Sequence, residues 1–232
     1  MKLSIIIPAY NEAKTIEKLV LRVMSAPLPQ GFSKEIILID DCSTDETYNI
    51  AKRLASVHNF KILRHAHNHG KGASVRDGIR ASSGDVLVIQ DADLEYDPRE
   101  YVALLEPIIS NDAEVVFGSR FMGAQSHRVL YFWHYLGNKF LTLLSNIMTN
   151  LNLSDMETCY KMFTRKVADD IKGKIRSRRF GIEPEITALV KKYSVYEIGI
   201  SYRGRTYEEG KKIGWRDGFA AIWAIIRFNL FG

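Results

Sequence analysis

Short apolar runs alternate with stretches of helical periodicity along the first half of this 232-residue chain, which restricts the possible folds. The runs cover residues 3–7, 35–39, 60–63, 86–89 and 115–117. The stretches between them cover residues 13–25, 45–57, 73–82 and 99–110, and Ser43 to Glu46 indicates a capping box at the second. This alternation is typical of a parallel sheet flanked by helices. The sequence therefore predicts an α/β fold.

A cluster of polar residues directly follows each apolar run, at the predicted carboxyl end of its strand. The clusters occupy residues 8–12, 40–43, 67–72, 91–95 and 118–120. The carboxyl ends of parallel strands lie along one edge of a sheet, and ligands bind in the crevice outside that edge. The sequence therefore predicts a ligand-binding site there, built from residues that are far apart in the chain.

The second half of the chain loses this alternation after about residue 121. Aromatic and aliphatic residues dominate 129–153, five basic residues fall within 172–179, and residues 195–201 again predict a strand. The last segment, 215–231, mixes aromatic and aliphatic residues with a few charges. This mixture predicts an amphipathic terminal helix.

The composition allows one sizeable core and favours an anionic partner. The chain has 32 Lys and Arg against 27 Asp and Glu, a net charge of +5, which favours phosphates, anionic lipid headgroups or nucleic acid. Two cysteines, Cys42 and Cys159, are too few for a disulfide framework. The apolar run 3–8 is shorter than a signal-peptide core, and no stretch supplies the roughly 18 apolar residues of a membrane-spanning helix. We therefore predict a cytoplasmic protein.

Three carboxylates follow the predicted strand 86–89 at alternate positions. They are Asp91, Asp93 and Glu95. Unpaired negative charge at the end of a buried strand is costly unless a cation compensates it. Magnesium takes one or two protein carboxylates and completes its shell with water and substrate phosphates. The motif therefore predicts a divalent-metal site, and the alternative is a solvated acidic loop that caps the helix after Pro98.

The segment 68–72 has glycines where the backbone must approach a ligand closely, and Lys71 near the predicted start of a helix. This arrangement suits contact with phosphate or ribose, although a tight turn with an exposed lysine is the alternative. The segment is not a Walker A loop, and no GxGxxG motif follows a strand. The sequence therefore gives no support to P-loop phosphoryl transfer or dinucleotide-dependent redox chemistry.

The ordered set of motifs resembles that of the family 2 glycosyltransferases, in particular the dolichol-phosphate mannose synthase and polyprenyl-phosphate glycosyltransferase group. The resemblance is close from residue 3 to about 123, where it rests on residues 7–12, 39–45, 68–72 with Gly78, 83–85, 91–93 and 118–121. It continues more loosely through residues 155–161 and through Arg205 with residues 210–212. It implies a GT-A fold, the Rossmann-like fold of nucleotide-diphospho-sugar transferases, as a single domain over 1–232. Residues 1–123 would bind the nucleotide sugar and metal, and 124–232 would face the acceptor. The implied enzyme inverts the anomeric carbon in a single displacement.

The resemblance also implies roles for individual residues of this chain. Nucleotide-sugar binding falls to Pro8, Ala9, Tyr10, Glu12, Asp41, Asn68, Gly70, Lys71, Asp91 and Ala92. The implied ligands of Mg²⁺ or Mn²⁺ are Asp93 and Glu95. The implied catalytic residues are Asp91, Asp93, Arg120, Asp155 and Arg205. The implied contacts with acceptor phosphate are Arg120, Arg128, Arg205 and Lys212.

Two acceptor classes place different demands on such a site. A glycan hydroxyl must lose its proton to a base within hydrogen-bonding reach, a role open to Asp155 or Glu157. A lipid phosphate monoester has a second pKa of about 6, so it is already anionic and mainly needs cations to position it. We expect transfer of a hexose from a donor of the GDP-mannose or UDP-glucose type to polyprenyl or dolichyl phosphate. The alternative is a glycan hydroxyl in cell-surface polysaccharide synthesis.

The aromatic-rich segments and the positive charge predict peripheral association with the inner face of the cell membrane. Segments 129–153 and 215–231 would supply the apolar surface, and ordinary helix packing is the alternative.

Other functional classes have less support from the sequence. A sugar nucleotidyltransferase is a remoter alternative, because residues 8–12 are not the glycine-rich, basic loop with which such enzymes open. A non-catalytic nucleotide-sugar sensor is disfavoured because the metal carboxylates are all present. Nucleic-acid binding is disfavoured because the basic residues of 172–179 lack interleaved aromatic side chains.

Overall fold

The computed structural model describes residues 1–123, 128, 131–179, 181–205 and 215–231, except for the side chains of 215–217. The strands are β1 (Lys2–Ala9), β2 (Ser33–Asp40), β3 (Lys61–Arg64), β4 (Val86–Ile89), β5 (Val115–Ser119), β6 (Lys161–Thr164) and β7 (Val195–Gly199). The helices are α1 (Ile16–Ser25), α2 (Thr47–His58), α3 (Lys71–Ala81), α4 (Tyr101–Ile109), α5 (Phe132–Thr149), α6 (Arg165–Ile171), α7 (Ile182–Val190) and α8 (Trp215–Leu230). A 3-10 turn, Pro98–Glu100, precedes α4.

The strands of the described residues form one sheet in the order β3-β2-β1-β4-β6-β5-β7. Only β6 runs antiparallel to its neighbours, β4 and β5, in this part of the chain. Ile5, Ile6 and Ile7 of β1 are all fully buried, because helices cover both faces of the central strands. The prediction of a mainly parallel sheet flanked by helices is therefore confirmed.

The second half of the chain adds elements that the sequence pattern does not predict. These are β6, α6 and α7. The predicted strand 195–201 is present as β7, and the predicted terminal helix 215–231 is present as α8. Because β6 enters between β4 and β5, the two parallel strands that carry the predicted acidic and Arg120 motifs do not pair directly.

The predicted capping box at residues 43–46 is wrong. Helix α2 begins at Thr47, and its first turn receives no side-chain cap from Glu46. Instead, the Ser43 hydroxyl accepts a hydrogen bond from the Asn11 amide at 3.0 Å, and the Asp45 carboxylate accepts one from the Ala13 amide at 3.2 Å. These polar side chains therefore join the loop after β2 to the loop after β1, which carries predicted site residues.

Helix α5 presents one apolar face to solvent. The residues of this face, spaced three or four apart, are Trp133, Leu136, Phe140, Leu143 and Ile147, and they are 46–76% exposed. Helix α8 packs against α5 and α7. Its exposed side chains include Phe219, Trp223 and Leu230. Within the part of the chain described above, no helix is long and apolar enough to cross a bilayer.

A carboxylate at the amino-terminal edge of the sheet links three strands. Glu35 of β2 accepts hydrogen bonds from the Ser4 hydroxyl at 2.6 Å, from the Ser83 amide at 2.8 Å and from the Lys61 ammonium at 2.8 Å. Burial alone would raise the pKa of Glu35, but these bonds lower it to about 2. The ionised carboxylate therefore stabilises the folded chain relative to the unfolded one.

We expect Glu35→Gln to lower the free energy of unfolding at pH 7 by about 1–2 kcal/mol. The stabilisation is fully present above the ordinary carboxyl pKa of 4.5 and is lost as the pH falls towards 2. Urea unfolding of the wild type and the variant at pH 7 and pH 3 tests this. The difference between their free energies of unfolding should be smaller at pH 3. An equal gap at both pH values would contradict the proposed charge dependence.

Candidate active site

The loops after β2 and β3 meet at the carboxyl edge of the sheet. Asp41 is almost fully buried there, and its carboxylate accepts hydrogen bonds from the His69 amide at 2.9 Å and from the Gly70 amide at 2.6 Å. The Asn68 side chain donates to the Asp41 carbonyl at 3.3 Å. Three of the predicted nucleotide-sugar residues, Asp41, Asn68 and Gly70, therefore form one hydrogen-bonded group, which we call the Asp41 unit.

The loop after β1 contributes the next part of this edge. Pro8 and Ala9 end the strand, and Tyr10 is 40% exposed. The Glu12 amide donates to the Thr47 hydroxyl at 2.7 Å. The first residues after β1 are thus held in place by the start of α2, beside the Asp41 unit.

Lys71 joins the loop at residues 68–70 to the acidic motif after β4. Its ammonium lies 2.8 Å from Asp91 and 2.8 Å from Glu183 of α7. Burial lowers the pKa of Lys71, but the two carboxylates raise it well above its ordinary value. Gly70 has a φ of +88°, and a side chain there would meet the Arg178 carbonyl at 2.3 Å. Only glycine fits this backbone position, as the motif indicated.

Arg205 brings together the other carboxylates of the edge. Its guanidinium lies 3.0 Å from Asp93, 3.1 Å from Glu95 and 3.6 Å from Glu12. Glu95 also accepts a hydrogen bond from the Tyr202 hydroxyl at 2.6 Å. The predicted metal ligands and the predicted phosphate-binding arginine are therefore in direct contact.

The acidic motif carries more negative charge than its surroundings readily neutralise. Burial, followed by the charges of Asp91 and Glu95, raises the pKa of Asp93 to about 7, and Arg205 only partly opposes this. Within the described residues, no group of three or more His, Cys, Asp or Glu side chains is placed to hold a metal ion. Two carboxylates, Asp93 and Glu95, are enough protein ligands for Mg²⁺ or Mn²⁺, because such ions complete their shells with water and phosphate oxygens.

Arg120 follows β5 and is fixed by one carboxylate. Its backbone amide, Nε and Nη2 donate to Asp155 at 3.0, 2.7 and 2.8 Å. Burial alone would raise the pKa of Asp155, but Arg120 brings it below its ordinary value. The Arg120 guanidinium also lies 5.1 Å from the centre of the Tyr202 ring. Asp155 thus holds Arg120 beside Tyr202, whose hydroxyl donates a hydrogen bond to Glu95.

A partly buried carboxylate, Glu157, follows Asp155 by two residues. Among the described residues, one carboxylate oxygen of Glu157 finds no hydrogen-bond partner. Burial and then the charge of Glu183 raise the pKa of Glu157 to about 7. Lys161 of β6 donates to the carbonyl of Met156 at 2.9 Å, and burial lowers its pKa. Of the two bases that the sequence offers, Glu157 is therefore the one for which the described part of the chain supplies no fixed cationic partner at hydrogen-bonding distance.

Three further residues are predicted for the site: Arg128, Ala92 and Lys212. Arg128 donates from its backbone to the Tyr202 carbonyl at 2.9 Å and from its guanidinium to the Gly204 carbonyl at 3.2 Å, next to Arg205. Ala92 is buried at the start of the acidic motif. Lys212 lies outside the described residues.

Sequence reasoning missed two residues that complete the edge, Glu183 and Tyr202. Glu183 pairs with Lys71, which is more than 100 positions away in the chain, and Tyr202 bonds Glu95 from a similar separation. Neither residue stands in a motif with a recognisable spacing. Only the folded chain brings them to the site.

The mainly parallel sheet with this acidic carboxyl edge is the architecture of GT-A glycosyltransferases, the class that the sequence predicts. The sequence pattern of Glycosyl transferase family 2 matches residues 4–172. The chain therefore belongs to glycosyltransferase family 2.

Two relatives in this family have names that state an activity. A dolichol-phosphate mannosyltransferase of Pyrococcus furiosus is 32% identical over 219 residues, which are 92% of this chain and 61% of that protein. A UDP-N-acetylglucosamine–dolichyl-phosphate N-acetylglucosaminyltransferase of Methanococcus voltae is 26% identical over 244 residues, covering 97% of this chain and 95% of that protein. The chain thus spans about six-tenths of the Pyrococcus protein. Both relatives belong to the group that the motifs resemble.

Solved structures agree with the fold. Glucosyl-3-phosphoglycerate synthase from Mycobacterium tuberculosis, in a complex with Mn²⁺, UDP and glucosyl-3-phosphoglycerate, superimposes with a TM-score of 0.73. The match covers 99% of this chain and 78% of that one at 18% identity. The similarity shows that the two proteins share a fold.

Proposed function

We propose that this chain is an inverting, metal-dependent glycosyltransferase that moves a hexose from a nucleotide sugar to polyprenyl or dolichyl phosphate. The observation that carries the acceptor assignment is the Arg120–Asp155 pair, with its two side-chain hydrogen bonds of 2.7 and 2.8 Å. The Asp155 carboxylate holds the permanently charged Arg120 guanidinium in a fixed position. A phosphate acceptor needs such a cation and needs no base.

The donor would lie along the carboxyl edge from the loop after β1 to the acidic motif. Tyr10, Glu12 and the Asp41 unit suit the base and ribose, since carboxylates accept hydrogen bonds from base N–H groups and hydroxyls. Lys71 and Asp91 would face the ribose or sugar. Pro8, Ala9 and Ala92, to which the family resemblance also gives a donor-binding role, would line the donor site. The name of the Methanococcus relative supports a UDP-sugar donor, and the name of the Pyrococcus relative supports mannose as the transferred hexose.

A bound Mg²⁺ or Mn²⁺ would be held by Asp93 and Glu95, and it would neutralise the departing nucleoside diphosphate. Arg205 contacts both carboxylates in the structure. When a metal ion binds these carboxylates, the Arg205 guanidinium would be free to contact the donor phosphates instead. The Mn²⁺ and UDP in the complex of the structurally similar synthase support metal use in this fold.

The exposed faces of α5 and α8 would bring the active site to a membrane that contains the lipid acceptor. Trp133, Phe140 and Ile147 of α5 are each more than half exposed, which is unusual for apolar side chains on one helix face. An amphipathic helix binds a bilayer through such a face. Association would be peripheral, at the inner face of the cell membrane.

Paired acceptors test the proposed acceptor class. Labelled sugar transfer is measured from GDP-mannose, UDP-glucose, UDP-galactose and UDP-N-acetylglucosamine to undecaprenyl phosphate, and in parallel to undecaprenol. We expect one donor to label the phosphate and none to label the alcohol, because the two acceptors differ only in the anionic group. Equal labelling of both lipids would contradict recognition of a phosphate.

A glycan hydroxyl acceptor is the second candidate, and Glu157 is the observation that favours it. Its raised pKa of about 7 suits a general base near neutral pH. We expect Glu157→Gln to leave lipid-phosphate transfer within about fivefold, whereas removal of a required base costs about 10²–10⁴-fold. Initial rates of both proteins at saturating substrates decide between these outcomes. Glu114→Gln, at a half-buried carboxylate just before β5 at the amino-terminal edge, is the control.

A further inference from the structure

The basic segment 172–179 divides into paired and unpaired charges. Lys172 pairs with Asp169 at 2.7 Å, and Lys174 pairs with Asp170 at 2.6 Å. These lysines therefore have protein partners, and their charges are partly satisfied within the fold.

The arginines of the same segment differ from the lysines. Within the residues that the structure describes, no carboxylate lies within ion-pair distance of Arg176, Arg178 or Arg179. All three side chains are exposed. Arginine remains charged at every physiological pH and matches the geometry of phosphate oxygens. The group therefore offers three positive charges to an external anion.

These arginines border an open cavity of about 370 Å³ between the segment and α8. Its lining side chains include Arg176, Arg178, Arg179, Arg227, Trp223 and Phe228. Arg227 adds a fourth charge, and its guanidinium lies 5.6 Å from the centre of the Phe228 ring. The cavity thus combines cationic and aromatic groups, and none of them is a predicted donor or acceptor residue.

The backbone that carries these arginines is held in place by buried groups. The Glu185 carboxylate, only 1% exposed, accepts hydrogen bonds from the Arg176 amide at 2.7 Å and from the Ser177 amide at 2.8 Å. The Arg178 carbonyl accepts a bond from the Gly72 amide at 2.9 Å. The arginines therefore extend from a fixed support that is continuous with the donor loop.

The cavity also adjoins the exposed apolar side of α8. Trp223 lines the cavity and is 61% exposed, and Phe219 lies one helical turn before it. Cationic side chains beside an apolar helix face are the arrangement that binds anionic bilayers, because headgroup phosphates lie directly above the acyl region. The exposed apolar face beside the arginines therefore favours a lipid headgroup over a soluble phosphate.

We propose that this arginine cavity binds the phosphate headgroup of an anionic phospholipid when α8 rests on a membrane. The proposal rests on the membrane association proposed above and adds a lipid preference to it. Bound headgroups would orient the carboxyl edge of the sheet relative to the bilayer, since the cavity and the donor loop share the Arg178–Gly72 hydrogen bond.

Vesicle co-sedimentation tests the proposal with two triple variants of equal charge. One variant carries R176Q, R178Q and R179Q, and the control carries K172Q, K174Q and K192Q, at lysines that pair with Asp169 or Asp170. The vesicles are neutral phosphatidylcholine, or phosphatidylcholine with a third of phosphatidylglycerol. We expect the arginine variant to lose affinity for anionic vesicles on the order of 100-fold, and Arg227→Gln alone about fivefold.

The control variant should stay close to wild type on anionic vesicles, and all proteins should bind neutral vesicles alike. Equal losses in the two triple variants, or no preference of the wild type for phosphatidylglycerol, would overturn the proposal. Release of the wild type from vesicles by inorganic phosphate but not by chloride at equal ionic strength, or tighter binding to single-stranded RNA, would also overturn it.

Transfer to undecaprenyl phosphate in detergent micelles separates this proposal from the proposed function. The arginine variant should keep wild-type transfer there, because its substitutions lie outside the donor and acceptor residues. Failure of every protein to transfer sugar, with the vesicle difference intact, would refute the enzymatic proposal alone.

Discussion

Asp93→Asn is expected to lower kcat for sugar transfer by about 10³-fold or more, because it removes a ligand of the cation that stabilises the leaving diphosphate. The same substitution should leave the protein at least as stable as wild type. Asp93 is partly buried beside Asp91 and Glu95, and its raised pKa of about 7 reflects the cost of ionising it there. A neutral amide of the same shape relieves that repulsion, as is common where function requires a destabilising group.

Initial rates at saturating Mn²⁺ and thermal unfolding of both proteins measure the two effects. Asp112→Asn is the control, since Asp112 is an exposed carboxylate just before β5, at the opposite edge of the sheet. The control should match wild type in rate. Wild-type activity of Asp93→Asn would show that Asp93 is not a required metal ligand. Failure of the variant to fold would show that Asp93 has a structural role.

Arg120→Gln is expected to reduce transfer to lipid phosphate by about 10²–10³-fold, the usual effect of removing one preorganised charge-stabilising donor. The variant should also be less stable by about 3–5 kcal/mol, because it leaves Asp155 buried without its cation. Metal-dependent hydrolysis of the donor by water should persist, since the donor carboxylates are untouched.

The double variant Arg120→Gln with Asp155→Asn separates catalysis from structure. Removing both members of a buried pair is far less destabilising than removing one, so we expect most of the lost stability to return. Transfer should stay at the level of the single variant. Transfer that recovers together with stability would show that Arg120 acts only as a structural partner of Asp155.

The sequence predicts the first half of the fold well for a physical reason. Strands buried on both faces appear as continuous apolar runs, and β1, β2, β4 and β5 all contain such runs. Strand β6 does not, because its four residues begin with Lys161, whose ammonium is satisfied by backbone carbonyls inside the core. Its insertion between β4 and β5 depends on tertiary contacts that no local pattern records.

The candidate site shows the same division. Asp41, Lys71 and the acidic motif stand in short local patterns, so their presence at one sheet edge follows from the parallel topology. Glu183 and Tyr202 stand in no such pattern. Their contacts with the site arise from chain segments that fold back over it from the second half. Residue spacing could not predict these partners.

The most direct test of the proposed activity is the metal dependence of lipid labelling. Radiolabelled nucleotide sugar and undecaprenyl phosphate are incubated with the protein and Mg²⁺ or Mn²⁺, with EDTA in a parallel sample, and the organic phase is counted. We predict label in the organic phase that requires the metal and disappears with EDTA. Label that never enters the organic phase, or that enters it equally in EDTA, would contradict a metal-dependent lipid-phosphate glycosyltransferase.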